Sequence, residues 1–547
     1  MRRMTIKVFM VIGLCLFLFL IGYSPSVSAA SYYDTCTEGN QEDGSYLIKV
    51  SKESMKDTDC NILQKAFYEA RDNAAANKQY IIVVEPAVYN LDFILHMYRY
   101  TTLYAQGCTF NRVAVEEGKY KNMLIVGDTG TGSDTKKGYY YEGITVDGGV
   151  WNGNLTKKPI YRAAHCKNLL IQNAVFKSCV DAHLMEVAAL DGFTVKNCVF
   201  QDGYIASGKN PSLANEAIQI DITVPKHFPS VASEIIASKN ITIQNNTFEN
   251  VLRGVGSHTA WIGLPYTNVT ISDNTFSNVK SVAIECLNYQ NCLVENNTLK
   301  NCGRGISVFS MTSTVNGMYN SGNEASKTLQ AKTVVRNNTI QVQNTDTTIS
   351  SGIAVQGKKL TKAVNGESDK IEKGNYVISD VSIYGNTIKT KANGIILRDA
   401  KKISLNNNQI DSAGSGNNHG ILISDESDNI EIQENRIISS KAGGITVKDS
   451  KSININKNNV TVNTAGTNYG ILSTGKSKNI KVGSNEINVK GTGIVMRSTT
   501  AASIQKNKIT GSNKADQYGI LISADSKKVK IGSNTIKKYK KKILIRH

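Results

Sequence analysis

Eleven asparagines, Asn246, Asn274, Asn297, Asn338, Asn386, Asn408, Asn435, Asn458, Asn485, Asn507 and Asn534, are each followed two residues on by Phe, Leu, Ile or Val. From Asn386 onward their spacing alternates between 22–23 and 27 residues, and a short fixed period marks a solenoid whose neighbouring turns share one core. Each repeat carries two strand patterns. In 429–448 they read Ile-Glu-Ile-Gln and Gly-Ile-Thr-Val-Lys, apolar at every second residue, the period of a strand and not of a helix. A leucine-rich repeat of this length needs a Leu skeleton and a helical half, and both are missing. The pattern predicts an all-β chain wound as a right-handed, single-stranded parallel β-helix. In it one Asn stacks on the next at a tight turn, where Asn tolerates left-handed backbone and bonds locally.

Residues 1–30 read as a signal peptide: Arg2, Arg3 and Lys7 precede an apolar run from Val8 to Ile21, and Val27-Ser-Ala-Ala30 offers a cleavage site. The expectation is a secreted, extracellular protein with no membrane span once that segment is removed, since no later stretch has about 18 consecutive apolar residues. Nine cysteines then remain. Cys36 and Cys60 could pair across the N-terminal cap; Cys179 and Cys302 fall at the position of Val251 and Val279 and read as small core residues. No cysteine or histidine spacing suits zinc, and no metal is expected there. The net charge of +18 is uneven: residues 501–547 hold twelve Lys and Arg against two Asp. A basic end on an exported chain suits a cell-wall or anionic surface, or keeps the last coil from stacking on another molecule. Nucleic acid is not expected as a partner, and the expected state is a monomer.

Asp59–Ala76 places Ile62, Leu63, Ala66, Phe67 and Ala70 on one helical face, which suits a capping α-helix over the first open coil. After it, Tyr80-Ile-Ile-Val-Val-Glu-Pro-Ala-Val-Tyr89, Thr101-Thr-Leu-Tyr-Ala-Gln-Gly107 and Asp147-Gly-Gly-Val-Trp-Asn-Gly153 resemble the entry of pectate-lyase-like β-helix proteins. The expected organisation is a cap over 31–79, coils with loop insertions and the functional groove over 80–379, and regular coils with the basic end over 380–547.

Insertions interrupt the repeat at 202–233, 311–331 and 358–376, and loops on a rigid scaffold concentrate function. Gly305-Ile-Ser-Val-Phe309 and Gly394-Ile-Ile-Leu-Arg398 set the register, with second and fourth residues inward. On that frame one outward row holds Glu186, Gln219, Gly256 and Glu285, and the next places Asp221 beside His258. His183, Glu216, Arg253 and Arg304 stand at the strand entrances, where an ion pair of Glu216 with Arg253 is the bland expectation. Tyr204, Phe228, Trp261 and Tyr266 lie nearby in sequence and suggest aromatic walls for sugar rings.

This layout resembles that of polygalacturonases and related β-helix glycoside hydrolases. The resemblance implies Glu186 as first carboxylate, Asp221 as general acid and His258, in Arg253-Gly-Val-Gly-Ser-His258, as the histidine. The chain has no Asn-Thr-Asp, Asp-Asp or Gly-His-Gly motif, and Glu285 stands where that family has Arg-Ile-Lys. With strands about 4.8 Å apart, the backbones of Glu186 and Asp221 are roughly 8 Å apart, within the roughly 6.5–9.5 Å of an inverting hydrolase. Glu186 is then the base, Asp221 the acid and Glu216 a reserve carboxylate. Gln219, Arg253, His183, Glu285, Trp261 and Tyr204 would hold a polysaccharide, anionic or neutral. No cofactor is needed. A lyase or uronate C5-epimerase would instead use Arg253 or His258 as base and bind calcium through Glu186, Asp221 and Glu285. A non-catalytic cell-surface or wall-associated carbohydrate-binding protein is the third alternative.

Overall fold

The computed structural model describes residues 31–546 except 56–60, 114–120, 129–133, 205–214, 225–227, 229–230, 312–317, 321–326, 345–349, 366–369, 413–417, 440–442 and 465–467. The signal segment and Cys60 therefore lie outside the described residues. Within them the chain winds as a right-handed parallel β-helix. Two long sheets run its length, one of 33 strands and one of 16, and coil-to-coil pairing is parallel, as in Thr247–Glu249 on Thr275–Ser277 and Arg304–Phe309 on Ser351–Gln356. Antiparallel pairs occur only at the cap and in the 358–376 insertion among the described strands.

The capping helix spans Asn61–Asn73. It buries Leu63, Phe67 and Ala70 completely and packs on the strands Tyr46–Val50, Tyr80–Val84 and Leu95–Met97. The ladder begins one rung earlier than the sequence boundary at residue 80: Tyr46–Val50 pairs in parallel with Tyr80–Val84, so the helix is inserted between the first and second rungs.

The asparagine column is a continuous hydrogen-bonded ladder. The Asn246 amide donates to Asn274 Oδ1 at 2.9 Å, and its Nδ2 donates to the same oxygen at 3.0 Å and to the Val195 carbonyl at 3.0 Å. The pattern repeats coil by coil to Asn507, whose amide donates to Asn534 Oδ1. The left-handed backbone expected at these asparagines sits one residue earlier, at Asn245, Asp273, Asn296, Asn337, Asn407, Glu434 and Lys457 among others. The ladder residue is thereby turned inward, where a side chain carrying both donor and acceptor satisfies buried backbone groups on two coils. Inside this turn Phe176, Phe200, Phe248 and Phe276 stack, with ring centroids 5.4, 5.0 and 4.4 Å apart. One apolar cluster runs from Ile48 to Tyr539 and includes the fully buried Cys179 and Cys302.

Candidate functional site

Four consecutive coils bring ionisable groups onto one sheet face, on the strands Tyr161–Gln172, Met185–Lys196, Glu216–Asp221 and Arg253–Gly256. The register is the one read from the alternation: Arg162 faces Glu186, Glu186 faces Gln219, and Gln219 faces Gly256. Val255 faces Ile284, which sets Glu285 one residue beyond. The inward neighbours Val187, Ile218, Ile220 and Val255 belong to the core, so every polar residue of these rows points outward.

Glu216, the reserve carboxylate, is the centre of the cluster. Its Oε1 meets Arg253 Nη1 at 2.7 Å and its Oε2 meets His258 Nε2 at 2.6 Å, with His183 Nδ1 at 3.7 Å. Arg253 spans to a second carboxylate, Glu285, at 2.7 Å. Gly256 leaves the room: a Cβ there would lie 3.2 Å from Glu216 Cγ and 3.4 Å from Glu285 Cβ. Burial opposes the charge on Glu216, but Arg253 and His258 outweigh it and hold the carboxyl below the usual range. Burial likewise opposes the charge on His258, and Glu216 overrides it, lifting the imidazole to about 9. His183 goes the other way, to about 3, through burial and the charge of His258; its ring lies 5.2 Å from that of His258.

Asp221 departs from the expected arrangement. The chain leaves the strand after Gly256 and folds across the carboxylate, so that the N–H groups of His258 and Thr259 both donate to Asp221 Oδ1, at 3.1 and 2.9 Å. Gln219 Nε2 contacts Oδ2 and lies 3.4 Å from His258 Nδ1. This fold-over is fixed from below, where Tyr266 donates to the Thr259 carbonyl at 2.6 Å and the Ser257 hydroxyl meets that of Tyr289 at 3.0 Å. Asp221 is consequently fully buried, and it is not the exposed acid the polygalacturonase comparison implied. Burial, with the negative charge of Glu216 adding to it, pushes its carboxyl to about 7.

Glu186 is 8% exposed and its Oε2 pairs with Arg162 Nε at 2.8 Å; burial raises its carboxyl despite that partner. Arg162 was not anticipated. It sits one coil before Glu186 on the same row, and the alternation of Tyr161-Arg-Ala against Met185-Glu-Val is the signal that finds it. Its guanidinium lies 4.1 Å from the Phe228 ring centroid. Among the cluster's charged side chains, His258 is the most exposed, at 27%.

The expected aromatic walls are used otherwise. Trp261 is 4% exposed and joins the core, and Tyr266 is fully buried. Phe228 is buried against Ala164 and Ala188. Each is packed inside the protein instead of presenting a ring to solvent. The Tyr204 side chain lies outside the described residues, as do 205–214, 225–227 and 229–230 of the 202–233 insertion. Arg304 bonds Ser281 at 3.2 Å and does not join the cluster's ion pairs. The calcium set Glu186, Asp221 and Glu285 is not brought together: the first and third are held by separate arginines, and Asp221 by backbone N–H groups. Among the described residues, His183, Glu216 and His258 form the one group whose ligand atoms, within 4.8 Å of one another, could converge on an ion. Arg253 on the same carboxylate puts a fixed positive charge beside any cation there.

Fold and site together define a parallel β-helix carrying a buried acid–base cluster on one face of its N-terminal half. The family model described as the right handed beta helix region matches residues 158–317, 229–378, 330–487 and 373–536, and the chain belongs to that family. Among solved structures it is similar to PfbA, a surface adhesin of Streptococcus pneumoniae, with 17% identity over 79% of this chain and 92% of that one and a TM-score of 0.54. The tailspike protein of the E. coli bacteriophage HK620, solved with a pentasaccharide, matches at 11% identity over 85% of this chain and 76% of that one, TM-score 0.47. The likeness to PfbA is one of fold. No curated protein matches the sequence. No helix of the described residues is long and apolar enough to cross a membrane.

Proposed function

We propose that this protein is an extracellular polysaccharide-degrading enzyme of the β-helix class, an inverting glycoside hydrolase in which His258 delivers the proton to the leaving oxygen and Glu186 serves as base toward water. The carrying observation is the 2.6 Å pair of His258 with Glu216. It keeps a partly exposed imidazole protonated at neutral pH beside groups whose affinities for protons are driven apart, the arrangement by which acid and base roles are divided. Glu216 and Asp221 are positioning residues in this reading: one holds the charge of His258, the other the backbone that carries it. Gln219, Arg253, His183 and Glu285 line the same face, and a net charge of +18 favours an anionic or neutral polysaccharide over a cationic one.

A lyase or epimerase fits less well, because both of its base candidates are held protonated: His258 by Glu216, and Arg253 by Glu216 and Glu285. A non-catalytic carbohydrate-binding surface protein is favoured by one observation, the closure of the cluster, with His183, Glu186, Glu216, Arg253 and Glu285 each below a tenth exposed. The deciding experiment incubates wild type and His258→Gln with acidic and neutral plant and microbial polysaccharides and follows reducing ends alongside ultraviolet absorbance. Reducing ends without unsaturated product, lost by about 100-fold or more in the variant, support the hydrolase. Unsaturated uronate would establish elimination, and binding without either product would make the protein an adhesive one.

A further inference from the structure

A second polar surface lies far from this cluster, on a different face. The strands Lys451–Asn456, Lys478–Gly483, Thr500–Gln505 and Lys527–Ile531 stack in parallel. Each coil turns at the same place through a residue in left-handed backbone, at Asn429, Ser452, Asn479, Ala501 and Lys528, with φ between 56° and 59°. A bend repeated at one position of every coil folds the face into a trough parallel to the solenoid axis. Its volume is about 720 Å³, and Asn454, Asn479, Lys481, Ser503, Lys528 and Lys530 are among its lining residues.

The lysines are ordered by the pairing. Asn454, Lys481, Ser503 and Lys530 form one row, and Lys451, Lys478, Thr500 and Lys527 form the neighbouring one. With coils about 4.8 Å apart, charge recurs along the first row about every 10 Å, on alternate rungs, and the second row carries lysine on three of its four rungs. At the N-terminal end of the trough the charges are paired, Lys451 with Asp428 at 3.6 Å. Further along they are not: among the described residues no carboxylate lies within ion-pair distance of the exposed Lys478, Lys481, Lys527, Lys528 or Lys530. Three of these cations, Lys481, Lys528 and Lys530, line the trough itself, and like charges gathered there cost self-repulsion unless an anion joins them.

We propose that this trough is a binding site for a linear carboxylated polysaccharide lying along the solenoid axis. Amides and hydroxyls from Asn454, Asn479 and Ser503 alternate with the lysines, which suits sugar hydroxyls between carboxylates. A pyranose unit is about as long as one rung, so an extended chain keeps step with the rows. No aromatic side chain lines the trough, whereas single-stranded nucleic acid is gripped by stacking its bases on aromatics.

The test is equilibrium binding of the full protein to polygalacturonate, to its methyl-esterified neutral form and to inorganic polyphosphate. It compares wild type, the trough variant K481Q/K528Q/K530Q, and the charge-matched control K537Q/K538Q/K540Q on the basic end. Polygalacturonate affinity should fall about tenfold in the trough variant and less than about twofold in the control, with the methyl ester unbound. Equal losses in both triples would reduce the effect to general charge, and polyphosphate binding as tightly with the same lysine dependence would remove the sugar from the proposal. Absence of polygalacturonate binding would overturn it outright. Because binding is read in wild type and in the His258→Gln background alike, the result stands apart from whether the distant cluster cleaves anything.

Discussion

At the scale of single residues, the cluster makes stability depend on pH in a defined direction. The folded imidazole of His258 is raised from an unfolded value of about 6.5 to about 9. Its contribution is therefore complete below about pH 6.5 and lost as pH rises through about 9. Melting at pH 6 and pH 9 should differ by on the order of 1–3 kcal/mol in wild type, and His258→Gln should flatten that difference; an unchanged slope would place the proton elsewhere. Asp221→Asn acts on a buried carboxylate. Asn keeps an oxygen for the N–H groups of His258 and Thr259 but puts an NH2 donor against Gln219 Nε2 in place of Oδ2, and that buried mismatch should cost about 1–3 kcal/mol in a denaturant titration. The rows themselves were readable because alternation fixes register. What could not be read was the departure of Ser257-His258-Thr259 from the strand after Gly256, since a three-residue fold-over has no period. It is this turn that buries Asp221 and sends His258 back to Glu216.

At the scale of the element, the coil turn couples two devices, a left-handed residue and the inward Asn after it. The sequence displayed the Asn column, but the dihedral burden is spread over residues as different as Asn245, Glu434 and Lys457, so composition alone could not assign it. Replacing Asn435 by Ala removes the acceptor of the Asn408 amide and the donor to the Leu405 carbonyl, and should cost about 1–3 kcal/mol for each buried group left unpaired. Asn534→Ala, on the half-exposed last turn, should cost less; equal losses would show that the ladder is not held by burial. Phe248, stacked on both sides, should cost about 3–5 kcal/mol as Ala, measured by the same titration. Aromatic residues near the site misled for a related reason. Sequence proximity to a polar strip does not distinguish a ring that lines a surface from one that is packed away from it, and Trp261, Phe228 and Tyr266 are the second.

At the scale of the molecule, the two ends of the solenoid are protected differently. The N-terminal end carries a helix that the periodicity of 59–76 revealed; the rung before it, Tyr46–Val50, was hidden because the helix separates it from its partner strand. The last described strand, Lys541–Ile545, pairs with Tyr518–Ile522 on one side and leaves Ile543 and Ile545 about half exposed. Lysines crowd that edge, and like charge is a means of keeping strand edges from joining. Removing it in K540A/K541A/K542A should produce concentration-dependent end-to-end association beyond that of wild type in sedimentation experiments, whereas a variant that sediments as wild type does would assign those lysines another task.

The regular stacking of the coils also fixes a length. From Thr270, on the coil of Arg253 and Gly256, the ladder passes through Leu293, Val334, Ser382, Ser404, Glu431 and Asn454 to Lys481. At about 4.8 Å a step, seven steps put the acid–base cluster and the lysine trough roughly 34 Å apart along the axis. The solenoid is thus a ruler graduated in whole coils. The two marks lie on different faces, so a glycan that engaged both would have to exceed that length; a shorter fragment would engage one mark alone.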